Sequence, residues 1–206
     1  QRTHSIPEYH PHIFNTAGSQ IPFPYPIGYH LALSFFPHSV SLYKVLQVLF
    51  AVVSLIMTIK LAELFGVKKI AVIIPLVLAY SFSWNSITPH QDMFALMLVL
   101  ISVYFTLRYI KGGKWTYALV AVVSGFWGSM SREFALVTIL FANLAFLFIY
   151  KRKRLNVIYV CSGIVLLTGL GYYWVNVVVR GQGILYPFVG KIDTGAWTWY
   201  SSHNSV

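Results

Sequence analysis

Charge is what this chain has least of. Only 10% of its 206 residues are charged, and five of those are acidic. A soluble domain carries roughly 25% charged residues, so too few are present to coat a water-facing surface. Cysteine is nearly absent as well. A single Cys161 excludes a disulfide framework within the chain and any cysteine-rich metal site. In place of charge there is apolar surface: 57% of residues are hydrophobic and the mean hydropathy is +0.68. Composition therefore predicts an all-α, polytopic transmembrane helix bundle. The formal net charge of +10 would suggest nucleic acid in a soluble protein. In a membrane protein it reports topology, so no nucleic-acid partner is expected.

Six apolar runs approach the ~20 residues a span requires. They lie near Val40–Leu64, Ile70–Ser86, Met93–Ile110, Trp115–Met130, Phe134–Tyr150 and Leu155–Val179. In lipid the backbone must satisfy its own hydrogen bonds, which makes runs of this length helices. Pro75 falls inside the second run. The chain divides into an external loop with interfacial segments (1–38), the six-helix region (39–179) and the start of a second external loop (180–206). It begins at Gln1 with no methionine before Met57. The polar, proline-rich opening lacks the layout of a signal peptide and reads as a loop whose preceding helix is missing.

Basic residues orient the runs. Lys60, Lys68, Lys69, Arg108, Lys111, Lys114 and Lys151 to Arg154 supply ten of the fifteen Lys and Arg, all on one side. The positive-inside rule makes that side cytoplasmic. All seven histidines and four of the five acids, Glu8, Asp92, Glu133 and Asp193, then fall on the opposite face, leaving Glu63 inside. The expected location is an integral multi-pass protein of the plasma membrane or endoplasmic reticulum, with its working face external or lumenal.

Three groups on that face carry candidate chemistry. Pro89-His90-Gln91-Asp92 opens the third run. Asp92 suits a solvated helix cap, while a carboxylate beside an imidazole also suits a metal ligand or an acid/base pair. Ser131-Arg132-Glu133 lies in a tight turn between two runs. It reads either as an interfacial ion pair or helix-capping turn, or as a guanidinium aimed at an anion. Arg180 is a second such guanidinium. The third group is the N-terminal loop, with His4, Glu8, His10 and His12, then Tyr25-Pro26-Ile27-Gly28-Tyr29-His30. Its prolines and aromatics read as a rigid interfacial re-entry, and Trp197, Trp199 and Tyr200 as an anchoring belt. No metal ligand set is defined by spacing; a divalent ion is the one cofactor candidate.

The order of these motifs, Tyr25 to His30 before a helix, Asp92 entering a helix, then Gly128-Ser129-Met130-Ser131-Arg132-Glu133 closing one, resembles the C-type membrane glycosyltransferase superfamily. The similarity is to its dolichyl-phosphate-mannose protein mannosyltransferase-like and aminoarabinose-transferase-like branch, over an N-terminal half lacking the first helix. The resemblance implies inverting transfer of a sugar from a polyprenyl-phosphate donor to a protein, lipid or glycan acceptor on the non-cytoplasmic face. It implies Asp92, Glu133 and Glu8 as catalytic carboxylates, with the principal acid upstream of Gln1. Arg132 and Arg180 would bind the lipid phosphate, and His90, His30 and His4 would line the cavity. The alternative is a lipid or solute transporter. Its expected signature is polar groups near the midplane, yet the run interiors offer mainly Ser, Thr and Gly apart from Asn143 and Pro75.

Overall fold

A computed structural model describes residues 9–14, 20–22, 28–37, 40–78, 91–150 and 155–174. Helices dominate: α1 (Gly28–Ser34), α2 (Val40–Leu64), α3 (Lys69–Leu78), α4 (Gln91–Gly112), α5 (Trp115–Ser129), α6 (Glu133–Ile149) and α7 (Asn156–Trp174). Among the described residues the strands are β1 (Tyr9–Phe14) and β2 (Gln20–Pro22), an antiparallel pair. This pair, which includes His10 and His12, belongs to a compact unit separate from the helical one, Pro26–Gly169.

Each described helix occupies one of the apolar runs, apart from the short α1. Their ends follow local chemistry. Gly113 (φ +72°) adopts the left-handed conformation that closes α4, and its N–H donates to the Tyr109 carbonyl at 2.7 Å. Tight closure turns α5 straight back along α4, which makes these two the most extensively packed helices of the bundle.

Up-and-down connectivity stacks the core of the helical unit in three layers. At one end Tyr29, Leu46, Phe50, Met93 and Phe94 cluster, with the Phe94 ring 5.7 Å from Tyr29 and 5.0 Å from Phe50. Ala95, Val99, Ala135, Ile139, Cys161 and Val165 form the middle layer. Leu107, Ile110, Phe146, Val157 and Ile158 close the end that carries the basic loops. The middle layer is tight because its side chains are small. A Cβ on Gly125 would lie 3.0 Å from Ser102 Oγ and 3.1 Å from Cys161 Sγ. Such close approach is how helices associate where the solvent is as apolar as the side chains.

Polar groups in this core are tied across helices. The Ser102 hydroxyl donates to the Ala121 carbonyl at 2.8 Å, linking α4 to α5. Asn143 Nδ2 donates to Ser162 Oγ at 3.0 Å, linking α6 to α7. Gln47 of α2 is fully buried too. It corrects the expectation that Asn143 is the one amide within the runs: flanked by Leu46 and Val48, it is concealed in a continuous apolar stretch.

The outer faces are as apolar as the inner ones. Phe148 is 77% exposed and Leu167 70%, while Ile139 is fully buried. A helix apolar all round belongs in a large core or in a membrane. Two helices, Ser41–Leu64 and Gln91–Gly112, are long and apolar enough to cross a bilayer; Phe134–Ile149 and Asn156–Gly171 are apolar but shorter.

Candidate functional site

At the end of the bundle opposite the basic loops, three chain segments meet. The first is the start of α4. The helix begins at Gln91, which places Asp92 inside its first turn, where a carboxylate favours the positive end of the helix dipole. The second is the α5–α6 turn. The Ser131 and Arg132 N–H groups both return to the Gly128 carbonyl, at 3.0 and 3.2 Å, and the buried Ser131 hydroxyl donates to the Trp127 carbonyl at 2.8 Å. With its backbone held in this way, Arg132 takes an extended conformation (φ −157°, ψ 143°) and immediately precedes α6.

These two segments are joined by an ion pair. Arg132 Nε donates to Asp92 Oδ1, with side-chain exposures of 18% and 26%. Charged hydrogen bonds of this kind contribute about 1.5–3 kcal/mol, and partial exclusion of water strengthens the attraction. The pair brings together two of the three sequence groups, forty residues apart.

The third segment is the start of α1. Gly28 is locked by its main chain: its N–H donates to the Met130 carbonyl at 2.7 Å, and its own carbonyl accepts from Trp127 Nε1 at 3.1 Å. A Cβ here would stand 2.7 Å from Ser131 Oγ and 2.8 Å from the Met130 carbonyl carbon and oxygen. Only glycine fits, for reasons of space alone. Next to it Tyr29 is buried against Phe94. Burial, with Tyr43 nearby, pushes the Tyr29 phenol up to about 12, so it remains a neutral hydroxyl at physiological pH.

Beside this junction an open groove of about 440 Å³ runs between α1, α4 and α5, lined by Ala32, Phe94, Leu98, Leu119, Val123 and Trp127. Ser124 also borders it, but its hydroxyl is engaged by the Val120 carbonyl at 2.6 Å. The wall is therefore almost entirely apolar. From Trp127 to Leu119 it extends about 12 Å along α5 at 1.5 Å per residue. Phe94 and Trp127 line the groove at the end near α1, while Asp92 and Arg132 are not among its lining residues.

The remaining expected site residues are placed as follows. Glu133 and His30 fall on the described backbone of α6 and α1. Glu8, His4, His90 and Arg180 lie outside the described residues. No cluster of three or more His, Cys, Asp or Glu side chains occurs among the described residues. Asp92, the carboxylate seen at the junction, is engaged by a guanidinium, so the described side chains do not make a donor set for a divalent ion. Trp127 and Gly28 hold the junction together without having been singled out as contacts. Gly128, Ser131 and the Tyr25–His30 stretch were the nearest signals. No family model, curated protein or solved structure matches the chain.

Proposed function

We propose that this chain is part of a multi-pass membrane glycosyltransferase. It takes a sugar from a polyprenyl-phosphate donor and transfers it, with inversion, to an acceptor on the face opposite the basic loops. One observation carries this reading: the helices that form an apolar groove, α4 and α5, also hold a half-buried guanidinium paired with a carboxylate at the end opposite the basic loops. A ligand matched to both is anionic at one end and hydrocarbon at the other.

In the proposed reaction an acceptor hydroxyl or amine attacks the anomeric carbon. The bond from that carbon to the phosphate oxygen breaks, the lipid phosphate departs with the electron pair, and a carboxylate takes the acceptor proton. Asp92 is the orienting group for Arg132, because a carboxylate that accepts from a guanidinium is a weak base. The base role then falls to Glu133. Arg132 would stabilise the charge that grows on the departing phosphate, a contribution often the largest in catalysis. Phosphate leaves well without a general acid. The six spans and the external or lumenal placement of the site belong to the same proposal.

The test uses the full-length protein in vesicles with a radiolabelled polyprenyl-phosphate sugar. Arg132→Ala is expected to lower transfer about 10²–10³-fold, the usual cost of removing one transition-state hydrogen-bond donor, while Arg132→Lys retains part of it. Unchanged transfer by Arg132→Ala removes the role of Arg132. Absence of transfer by the wild-type protein removes the reading as a whole.

A further inference from the structure

The end of the bundle remote from the ion pair carries a second surface. Two loops build it. One is Phe65-Gly66-Val67-Lys68, between α2 and α3, with Lys69 and Ile70 at the start of α3; the other is the α4–α5 hairpin with Arg108, Lys111, Lys114 and Trp115. They are adjacent, because Lys111 Nζ donates to the Leu64 carbonyl at 3.0 Å and so closes the C-terminus of α2. Lys69 is paired with Glu63 at 2.6 Å. Arg108 is held above the Tyr117 ring, 5.5 Å from its centroid. Those contacts account for three of the cations. Lys68 and Lys114 are exposed and meet no acidic side chain among the described residues.

The chemistry of this surface is mixed in a particular way. Phe65, Val67, Ile70 and Trp115 are exposed alongside the cations, Trp115 at 71%. Bare apolar side chains and uncompensated positive charge on the same loops fit a boundary where hydrocarbon gives way to negative headgroups. Water alone would penalise the first, and a zwitterionic headgroup would bring its own cation against the second. Arg108 adds direction: its packing over Tyr117 holds the guanidinium close to Lys114, which is one helical turn from Tyr117.

We infer that the Lys68, Arg108 and Lys114 surface, framed by Trp115 and Tyr117, is a binding site for an anionic phospholipid headgroup. This rests on the membrane-spanning part of the proposed function and not on sugar transfer. The lipid is distinct from a donor at the opposite end: it is a boundary lipid that fixes the two loops at the interface.

The experiment uses the full chain in neutral detergent, mixed with equimolar phosphatidylglycerol and phosphatidylcholine of matched acyl chains. Bound lipids are counted by native mass spectrometry. The expected result is preferential retention of phosphatidylglycerol, falling roughly fivefold for each cation removed by Lys68→Gln, Arg108→Gln or Lys114→Gln. Lys44→Gln, near the start of α2 at the other end, should leave the preference unchanged. The Lys68→Gln/Lys114→Gln pair alters exposed side chains only, so its fold is preserved and its result is decisive. Equal retention of the two lipids by the wild type overturns the inference, as does a loss in Lys44→Gln equal to that in the pair. Flotation with vesicles separates the two readings: a chain that fails to float overturns the membrane-spanning proposal and this one together. One that floats but shows no preference overturns this one alone.

Discussion

Replacing Gly28 by alanine tests the docking of α1 at a single carbon atom. The added Cβ would meet Ser131 Oγ at 2.7 Å and the Met130 carbonyl at 2.8 Å. Neither neighbour can yield easily. Ser131 is buried with its hydroxyl committed to Trp127, and the Met130 carbonyl is the acceptor of the Gly28 N–H itself. Overpacking of this kind costs about 1–3 kcal/mol. Relief by moving α1 outward breaks the 2.7 Å and 3.1 Å hydrogen bonds of Gly28, each contributing about 0.5–1.5 kcal/mol. Strain and displacement are alternatives, so the cost is about 1–3 kcal/mol either way, a rise of roughly fivefold to a hundredfold in the opening of α1. Hydrogen-exchange mass spectrometry of peptides covering 28–34 should show that rise, with α4 and α5 amides away from the junction unchanged. Trp127→Phe provides the calibration, since it removes the indole donor together with part of the ring and should cost at least about 1 kcal/mol. Wild-type protection of α1 in Gly28→Ala, in the presence of a measurable Trp127→Phe effect, would refute the steric argument.

Three further outcomes follow from the packing. A double-mutant cycle with Asp92→Asn and Arg132→Gln, read by thermal melting in detergent, should give a coupling of about 1–3 kcal/mol; additivity within a few tenths would mean the pair contributes nothing. Gly125→Val inserts a branched side chain against Ser102 and Cys161 and should destabilise by at least about 1–3 kcal/mol, whereas Gly163→Val, with open space beside it, should cost far less. Cys161 is fully buried, so a membrane-permeant maleimide should label it only after denaturation. Rapid labelling of the native protein would place the thiol elsewhere.

Much of the architecture was legible because apolar length is a strong signal. The run Val40–Leu64 and helix α2 have the same bounds, and the run Trp115–Met130 differs from α5 by one residue. Sidedness was legible too: charge placement put Asp92 and Arg132 on one face, and they meet there. Their direct pairing is not legible in the sequence, which offers Arg132 an ion-pair partner in its neighbour Glu133 or an external anion, and Asp92 a helix-cap, metal-ligand or acid/base role. The obstacle is physical. Contacts between helices depend on which face turns inward, and periodicity reveals that only when the outer face is polar. Here Phe148 points outward while Phe146, two positions away, is buried, and hydropathy cannot separate them. The role of Gly28 was hidden for another reason. Its contacts are made by main-chain atoms and by Trp127, 99 positions distant, so no local pattern encodes them.

The attachment of α1 separates holding from shaping. Its anchorage is supplied by the amide and carbonyl of Gly28, main-chain atoms that every residue type but proline possesses, whereas the surface it offers the groove is the methyl group of Ala32. The two functions sit one helical turn apart and use different chemistry. Position 32 is thus an adjustable wall on a fixed hinge pin: a larger side chain there narrows the channel, and glycine widens it, with the helix still fastened at its start. Divergence in the width of the groove can then arise by substitution at one site, leaving the ion pair and its supporting turn untouched.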